Sequence, residues 1–444
     1  MKLPFYVLCL ITFSIAGCAT YNPRPISAQD TASAFESRTL DSPGLQKFIE
    51  RNLPGGIGSW PPVSWDFRML TLAALYYSPD LAIARAKRQV ARAGKITAGE
   101  RPNPSISVRP GVVANPSASP FLFALTPSIP IETAGKRGLL IAEATHLARA
   151  ASLNVQAAAW QVRSRLRTAL LDFYYSLETA AVLKRQVAVQ RELTRMLSVL
   201  LKNGEIPRPE LARAQISLDS SRLKWMDAQR QIADSRARLA AALGVPVQAL
   251  DRVKISYGFF KRFPSATSFS GLRKKALFCR PDILSALARY EAAQSALQLE
   301  IAKQYPDVNI GPGYSFSDSE NQWTLGVSLT LPLFNQNQGP IAQARARRRQ
   351  AAADFRALQA GVVEQLGRGE TGYREALLKL KTAEALVAAA RGQLEAARFG
   401  FRQGETSRFA LLGARLVFYA DLLQRIRASY QAQQALGQLE DALH

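Results

Sequence analysis

Histidine and cysteine are almost missing from this chain: its 444 residues contain two histidines, His146 and His444, and three cysteines. Cys9 lies in the first apolar stretch and Cys279 stands alone, so no internal disulfide framework is expected and no metal-ligand spacing occurs. Neither metal nor cofactor is expected. No nucleophile with a base and no phosphate-binding loop stands out, which argues against an enzyme. Beyond the N-terminus there is no apolar run long enough to cross a bilayer as a helix. Acidic residues are also short, 34 against 57 lysines and arginines, for a formal charge of +23. That balance raises a nucleic-acid partner. The basic residues are spread through amphipathic segments, however, and the one cluster, Arg345-Arg347-Arg348-Arg349, reads as a solvated helix face, so no nucleic acid is expected.

What is present begins with a leader. Lys2 precedes the apolar core Phe5 to Ile11, and the segment closes Ser14-Ile15-Ala16-Gly17-Cys18. Small residues before a cysteine at the end of such a core form a lipobox, so residues 1–17 are expected to be removed and Cys18 lipidated. Ala19, which is not aspartate, directs such a lipoprotein to the outer membrane under the common sorting rule. Residues 18–64 hold Pro23, Pro25, Pro43, Pro54, Pro61 and Pro62 and read as an extended arm.

The rest is written twice. Pro104 returns as Pro306 and Pro130 as Pro332, both at an offset of 202 residues. Ser78-Pro79-Asp80 returns as Arg280-Pro281-Asp282 at the same offset, and Asn203-Gly204-Glu205 as Gln403-Gly404-Glu405 at 200. The halves are 65–250 and 272–444, joined by a linker over 251–271. Each reads helix, two strands, a very long helix, a turn and a second helix. Helices are expected over 80–100 and 282–304. The stretches 134–202 and 339–402 lack internal proline apart from Pro340, which suits a first turn. Leu166, Leu170, Phe173, Leu177 and Ala181 set a coiled-coil seam. A helix of about 65 residues is on the order of 100 Å long, longer than a bilayer is thick.

Strands are expected over 105–113, 120–130, 307–317 and 322–333, with turns near 203–208 and 403–407. Val308, Ile310, Tyr314 and Phe316 share one face of the third strand, and Trp323, Leu325, Val327 and Leu329 one face of the fourth. The opposite faces are small and polar. Ten-residue strands with one apolar face suit a transmembrane barrel with a wet lumen. Four strands cannot close one, and eight leave only a filled interior. Three copies, giving twelve strands, are the smallest number with room for a channel.

Together these features resemble the TolC-like outer membrane efflux family over nearly all of the chain after the leader. Pro130-Ile131-Glu132-Thr133-Ala134-Gly135-Lys136-Arg137 and Leu331-Pro332-Leu333-Phe334-Asn335-Gln336-Asn337-Gln338-Gly339 look like the strand-to-helix junctions of its cobalt–zinc–cadmium branch. The resemblance implies a mostly α fold with long coiled-coil hairpins forming a periplasmic tunnel and four strands per subunit of a twelve-stranded barrel. It further implies a homotrimer in outer-membrane lipid that docks to a periplasmic adaptor and a proton-driven inner-membrane transporter. The turns would form the adaptor-facing tip, displaying Lys202, Gly204, Glu205, Arg208, Glu210, Arg402, Gly404, Glu405 and Arg408. Family members place acidic residues after the second turn. Ala410 and Gly413 stand there instead, so no carboxylate gate is carried over, and closure would rest on Glu210 and the basic tip residues. The residues leave open the cargo, whether metal cation, organic compound or anion. They also leave open a lipid-anchored periplasmic adaptor or a coiled-coil scaffold without a pore. An adaptor would carry one hairpin, and a scaffold explains neither leader nor strands.

Overall fold

The computed structural model describes residues 19–53, 58–114, 117–265 and 272–444. Helices α1 (Ala28–Glu36), α2 (Pro43–Asn52), α3 (Phe67–Tyr77) and α4 (Pro79–Gly99) lead into strands β1 (Ser105–Val112) and β2 (Phe121–Ile131). Helices α5 (Lys136–Lys202) and α6 (Arg208–Leu243) form the first hairpin. Then come α7 (Leu272–Cys279), α8 (Pro281–Ala302), β3 (Val308–Ser317), β4 (Glu320–Leu329), and the second hairpin of α9 (Gln338–Gln403) and α10 (Arg408–Leu443). The order repeats as the internal offset requires, and the fold is mostly helical. With 67 residues α5 spans about 100 Å, as does α9 with 66.

The helix starts follow from the sequence. Ser78 accepts a hydrogen bond from Leu81 N at 3.2 Å, and Pro79 fills a first-turn position whose N–H has no helical partner. The second copy has Pro281 but no capping side chain. Arg280 instead binds Asp282 through two nitrogens, at 2.6 and 3.0 Å, and donates to Ala442 O at 2.7 Å.

The arm is not extended throughout. Ser27 and Ser42 cap α1 and α2, and Leu45 and Ile49, one turn apart on α2, are fully buried in the main core. That core lies where α2, α3, α5 and α6 meet Phe260 of the 251–265 segment, around Leu70, Leu166, Leu170 and Leu239. Trp65 and Ile255 form a bridge with bonds of 2.8 and 2.9 Å, so the arm's end and the linker hold one another. The expected seam on α5 also shifts. Leu166 and Leu170 are buried, but beyond them the buried line runs through Ser176, Ala180, Leu183 and Val187, and Ala181 is exposed. A straight helix drifts from a 3.5-residue repeat, and α5 buries more than one face because it packs on α4, α6, α8 and α10.

The strands form one antiparallel sheet in the order β1-β2-β3-β4. β4 stops at Leu329, short of the expected 333, and the exposed Leu331 and Leu333 follow it.

Candidate functional site

The sheet register gathers the apolar residues of all four strands on one side, with Leu122 the large exception opposite Gly111. Val108 lies opposite Leu125, Leu125 opposite Tyr314, and Tyr314 opposite Trp323. The next rows bring Ile310 against Val327 and Val308 against Leu329. Val308, Ile310, Tyr314 and Phe316 are half-buried by their neighbours on the inner strand β3, while Trp323 is 80% exposed and Leu325 72% on the edge strand β4. Tyr314 packs on Trp323 at 5.0 Å between ring centroids and donates to Asn321 Oδ1 at 2.6 Å. A water-exposed apolar face spanning four strands far exceeds the scattered hydrophobics normal for a soluble surface.

The opposite face is small. A Cβ on Gly313 would sit 2.5 Å from Thr324 Oγ1, and one on Gly311 3.0 Å from Pro127 O. Pro127 and Pro312 fall opposite each other, between the paired residues Leu125–Tyr314 and Ile129–Ile310, where neither can donate to the ladder. β1 and β4 each pair on one side only. In hydrocarbon every unpaired backbone group costs several kcal/mol, so these edges require partners.

At the foot of the sheet the two halves are bolted together. Lys136, buried although charged, donates to Asp307 at 2.7 Å and to Tyr305 O at 2.6 Å. Thr133 adds a backbone bond to Asp307 at 2.9 Å and a hydroxyl bond to Pro306 O at 2.7 Å. Ala134 and Gly135 both take positive φ here, which turns the strand sharply into α5. At the second junction Asn337 has φ 63° and donates to Glu300 O and Oε2, at 2.7 and 2.9 Å. Burial alone would raise the Glu300 carboxyl, but hydrogen bonds from Lys303 and Asn337 outweigh it and hold it below the usual carboxylate range.

At the far end both turns close in the same way. Gly204 N bonds Leu201 O and Glu205 N bonds Leu200 O, and Gly404 and Glu405 repeat this onto Phe401 and Gly400. The pattern needs left-handed backbone at its centre, and Gly204 and Gly404 supply φ 77° and 79°. Lys202, Glu205, Arg208, Glu210, Arg402, Glu405 and Arg408 are all exposed around these turns, and Ala410 is exposed beside them. Two features here carry no signal in the sequence. Arg408 reaches across to Glu192 of the first hairpin, at 2.5 and 3.0 Å, with Arg415 at 4.0 Å from the same carboxylate. The second tip also exposes Phe399, Phe401 and Phe409, whereas Val199 is the exposed apolar residue of the first.

Glu440 and Asp441, in the last turn of α10, are half-buried partners of α5. Glu440 pairs with Arg163 at 3.1 Å and Arg167 at 3.6 Å, while Asp441 accepts from Trp160 at 3.0 Å and Ser164 at 2.5 Å. The helix end lies against α5 and not in solvent, so the carboxylates meet the basic and hydroxyl groups there. Burial pulls the Arg167 guanidinium below its ordinary range, with Glu440 opposing the shift. The two histidines make separate contacts, His146 with Glu291 at 3.0 Å and His444 stacked on Trp160. Among the described residues no His, Cys, Asp or Glu group could hold a metal, and no helix is long and apolar enough to cross a membrane. Cys18 lies outside the described residues.

Comparison with known proteins agrees with this geometry. The family model described as Outer membrane efflux protein matches residues 71–245 and 272–443, one match for each half. The cobalt-zinc-cadmium resistance protein CzcC of Cupriavidus metallidurans is 22% identical over 323 residues, 71% of this chain and 75% of its own. The pyoverdine export outer membrane protein OpmQ of Pseudomonas aeruginosa is 22% identical over 62% of this chain and 63% of its own. The crystal structure of the outer membrane protein VceC from Vibrio cholerae superposes with a TM-score of 0.69 at 20% identity, covering 85% of this chain and 95% of that one.

Proposed function

The chain belongs to the outer membrane efflux protein family, and from that premise we propose that it is a lipid-anchored, homotrimeric channel serving as the passive outer conduit of a tripartite efflux pump. The observation that carries this reading is the two-faced sheet. One side is apolar and uncovered over four strands, the other is lined mainly by small and polar residues, and both edges are open. Three such sheets joined edge to edge give twelve strands, grease outside and a wet lumen inside. The hairpins of about 100 Å extend from the sheet into the periplasm.

At the tips, Lys202, Gly204, Glu205, Arg208, Glu210, Arg402, Gly404, Glu405 and Arg408 would meet a periplasmic adaptor coupled to a proton-driven inner-membrane transporter. The exposed phenylalanines of the second tip add apolar contact area. With no carboxylate at Ala410 or Gly413, closure rests on the Glu192 bridge between hairpins together with Glu210 and its basic neighbours. Cargo is a metal cation or an organic compound, the two classes named for the relatives CzcC and OpmQ. The scarcity of His, Cys and Met leaves selection to the inner pump.

The test is purification from outer membranes with the leader intact, followed by oligomer mass, planar-bilayer conductance and mass spectrometry of the N-terminal peptide. A lipidated Cys18 on a trimer with rare, small openings is expected. A monomer without conductance would overturn the channel, and an unmodified Cys18 would remove the anchor alone.

A further inference from the structure

Within the four strands two residues are charged, Arg109 at the fifth position of eight in β1 and Glu320 at the first position of β4. Arg109 stands on the polar face. The row through it reads Arg109, Ala124, Ser315, Gln322, and the apolar residues Val108 and Pro110 on either side of it point the other way. Arg109 is exposed and takes part in none of the ion pairs among the described residues. Glu320 lies at the opposite edge of the same sheet, three strand spacings and one row-pair away, which is about 16 Å. That is about two Debye lengths at physiological salt, so the two charges do not neutralise one another. A guanidinium keeps its charge at any pH the protein meets.

Resting on the barrel reading above, we propose that Arg109 lines the lumen at mid-depth of the membrane segment, once per subunit, and makes that segment favour anions over cations. The ligands are small inorganic anions and the carboxylate or phosphate groups of larger solutes, to which a guanidinium presents paired donors. Gly311, the repeat counterpart of Arg109, has no side chain, so the ring holds three charges and not six. Three unit charges about 10 Å from the axis, in water and screened at physiological salt, raise the anion-to-cation ratio there by about threefold. At 10 mM salt, where screening reaches about 30 Å, the same charges give more than tenfold.

The experiment is the reversal potential of single openings under a tenfold KCl gradient, for the wild-type trimer, Arg109→Lys, Arg109→Gln and Arg109→Glu. The tip contributes equally to all four, so differences between them read position 109. Gln should lower the chloride-to-potassium permeability ratio by about threefold, Glu should lower it further, and Lys should keep it, with larger effects in dilute salt. As a second measurement, Arg109→Cys in a Cys279→Ser background should regain anion preference when a positively charged thiol reagent is added to channels already conducting. Gln and Glu variants that conduct with the wild-type reversal potential overturn the proposal while leaving the channel intact. A wild-type trimer that never conducts overturns the barrel reading and this inference with it.

Discussion

A single methyl group placed on α10 should unlock the buried centre of the helical body. A Cβ added at Gly437 would lie 2.2 Å from Arg167 Nη1 and 3.0 Å from its Cζ. The guanidinium ends a long side chain and can move, but every direction has a consequence. It donates to Gln433 O at 2.8 Å and Gln433 Oε1 at 3.0 Å, and faces Glu440 at 3.6 Å. Gln433 in turn donates to Phe260 O and Arg262 O, at 3.0 and 2.9 Å, so the same group fastens α10 to the 251–265 segment. Arg167 is only 3% exposed, which leaves a displaced charge no water to enter. Overpacking alone costs about 1–3 kcal/mol, and stripping a buried charge of its partners about 3–5 kcal/mol.

Because the methyl acts by displacing the charge, the two costs overlap, and Gly437→Ala should lose about 3 kcal/mol. At about 2.1 cal/mol/K of unfolding entropy per residue, that is roughly a 3 °C fall in the denaturation midpoint for a chain of 444 residues. Circular dichroism of the detergent-purified protein reads it. The decisive comparison is the double variant. Arg167→Met should be destabilising alone, and Gly437→Ala added to it should cost under about 0.5 kcal/mol, because the clash has gone. An unchanged midpoint in Gly437→Ala, or additive costs in the double variant, would refute the reasoning.

Four further outcomes are expected. Carrying the β2–β3 register across the 202-residue repeat places Leu331 opposite Val108 of the partner subunit. Leu331→Cys with Val108→Cys, in a Cys279→Ser background, should therefore yield covalent oligomers on denaturing gels. The mispaired Leu331→Cys with Val112→Cys, about 13 Å out of register, should not. Glu192→Gln removes the negative charge that Arg408 and Arg415 face; a partly exposed pair is worth up to about 1 kcal/mol, enough for roughly a fivefold rise in tip opening, read as sensitivity to large antibiotics. Charge reversal at Arg208 should increase the same leakiness if the tip residues help to close it. Finally, the carboxyl of Glu300 is held below its unfolded value, so its contribution is present above about pH 4.3 and lost as pH falls through the folded value. Glu300→Gln should flatten that acid limb, measured as the midpoint between pH 3 and 6.

The strands could be read from the sequence because one face of the sheet is apolar and the other small and polar, so alternation reports the two faces directly. β4 ends at Leu329 because residues 330–333 have no strand beside them within one chain, and alternation says nothing about where a partner comes from. The turns at Gly204 and Gly404 were legible since one backbone conformation favours one residue type there. Helix α2 was hidden in a proline-rich stretch: Ser42-Pro43 is a capping signal, but prolines elsewhere in the arm suggested extension. Glu192 and Arg408 are 216 residues apart, and Arg167 and Gln433 are 266 apart. No local pattern joins such residues. Arginines on α5 look like any others until the fold shows which of them faces Gly437.

The duplicated halves are not equally finished, and the differences fall where a second copy would sit. Within one chain the β2–β3 seam is secured by Lys136 and Asp307, whose counterparts in the repeat are Gln338 and Ser105. In the proposed trimer the seam between subunits would have neutral groups where the internal one has an ion pair. Helix α8 is covered on both sides by α5 and α9, whereas α4, its counterpart, packs on α5 and leaves Ile83, Val90 and Ile96 more than half exposed. An exposed apolar row on α4 and an unpaired end on β4 are what the first and last elements of a ring show before the next copy arrives. The stronger lock lies inside the chain and the weaker at its edges. In the proposed trimer the ring would close by burying the α4 face and extending β4.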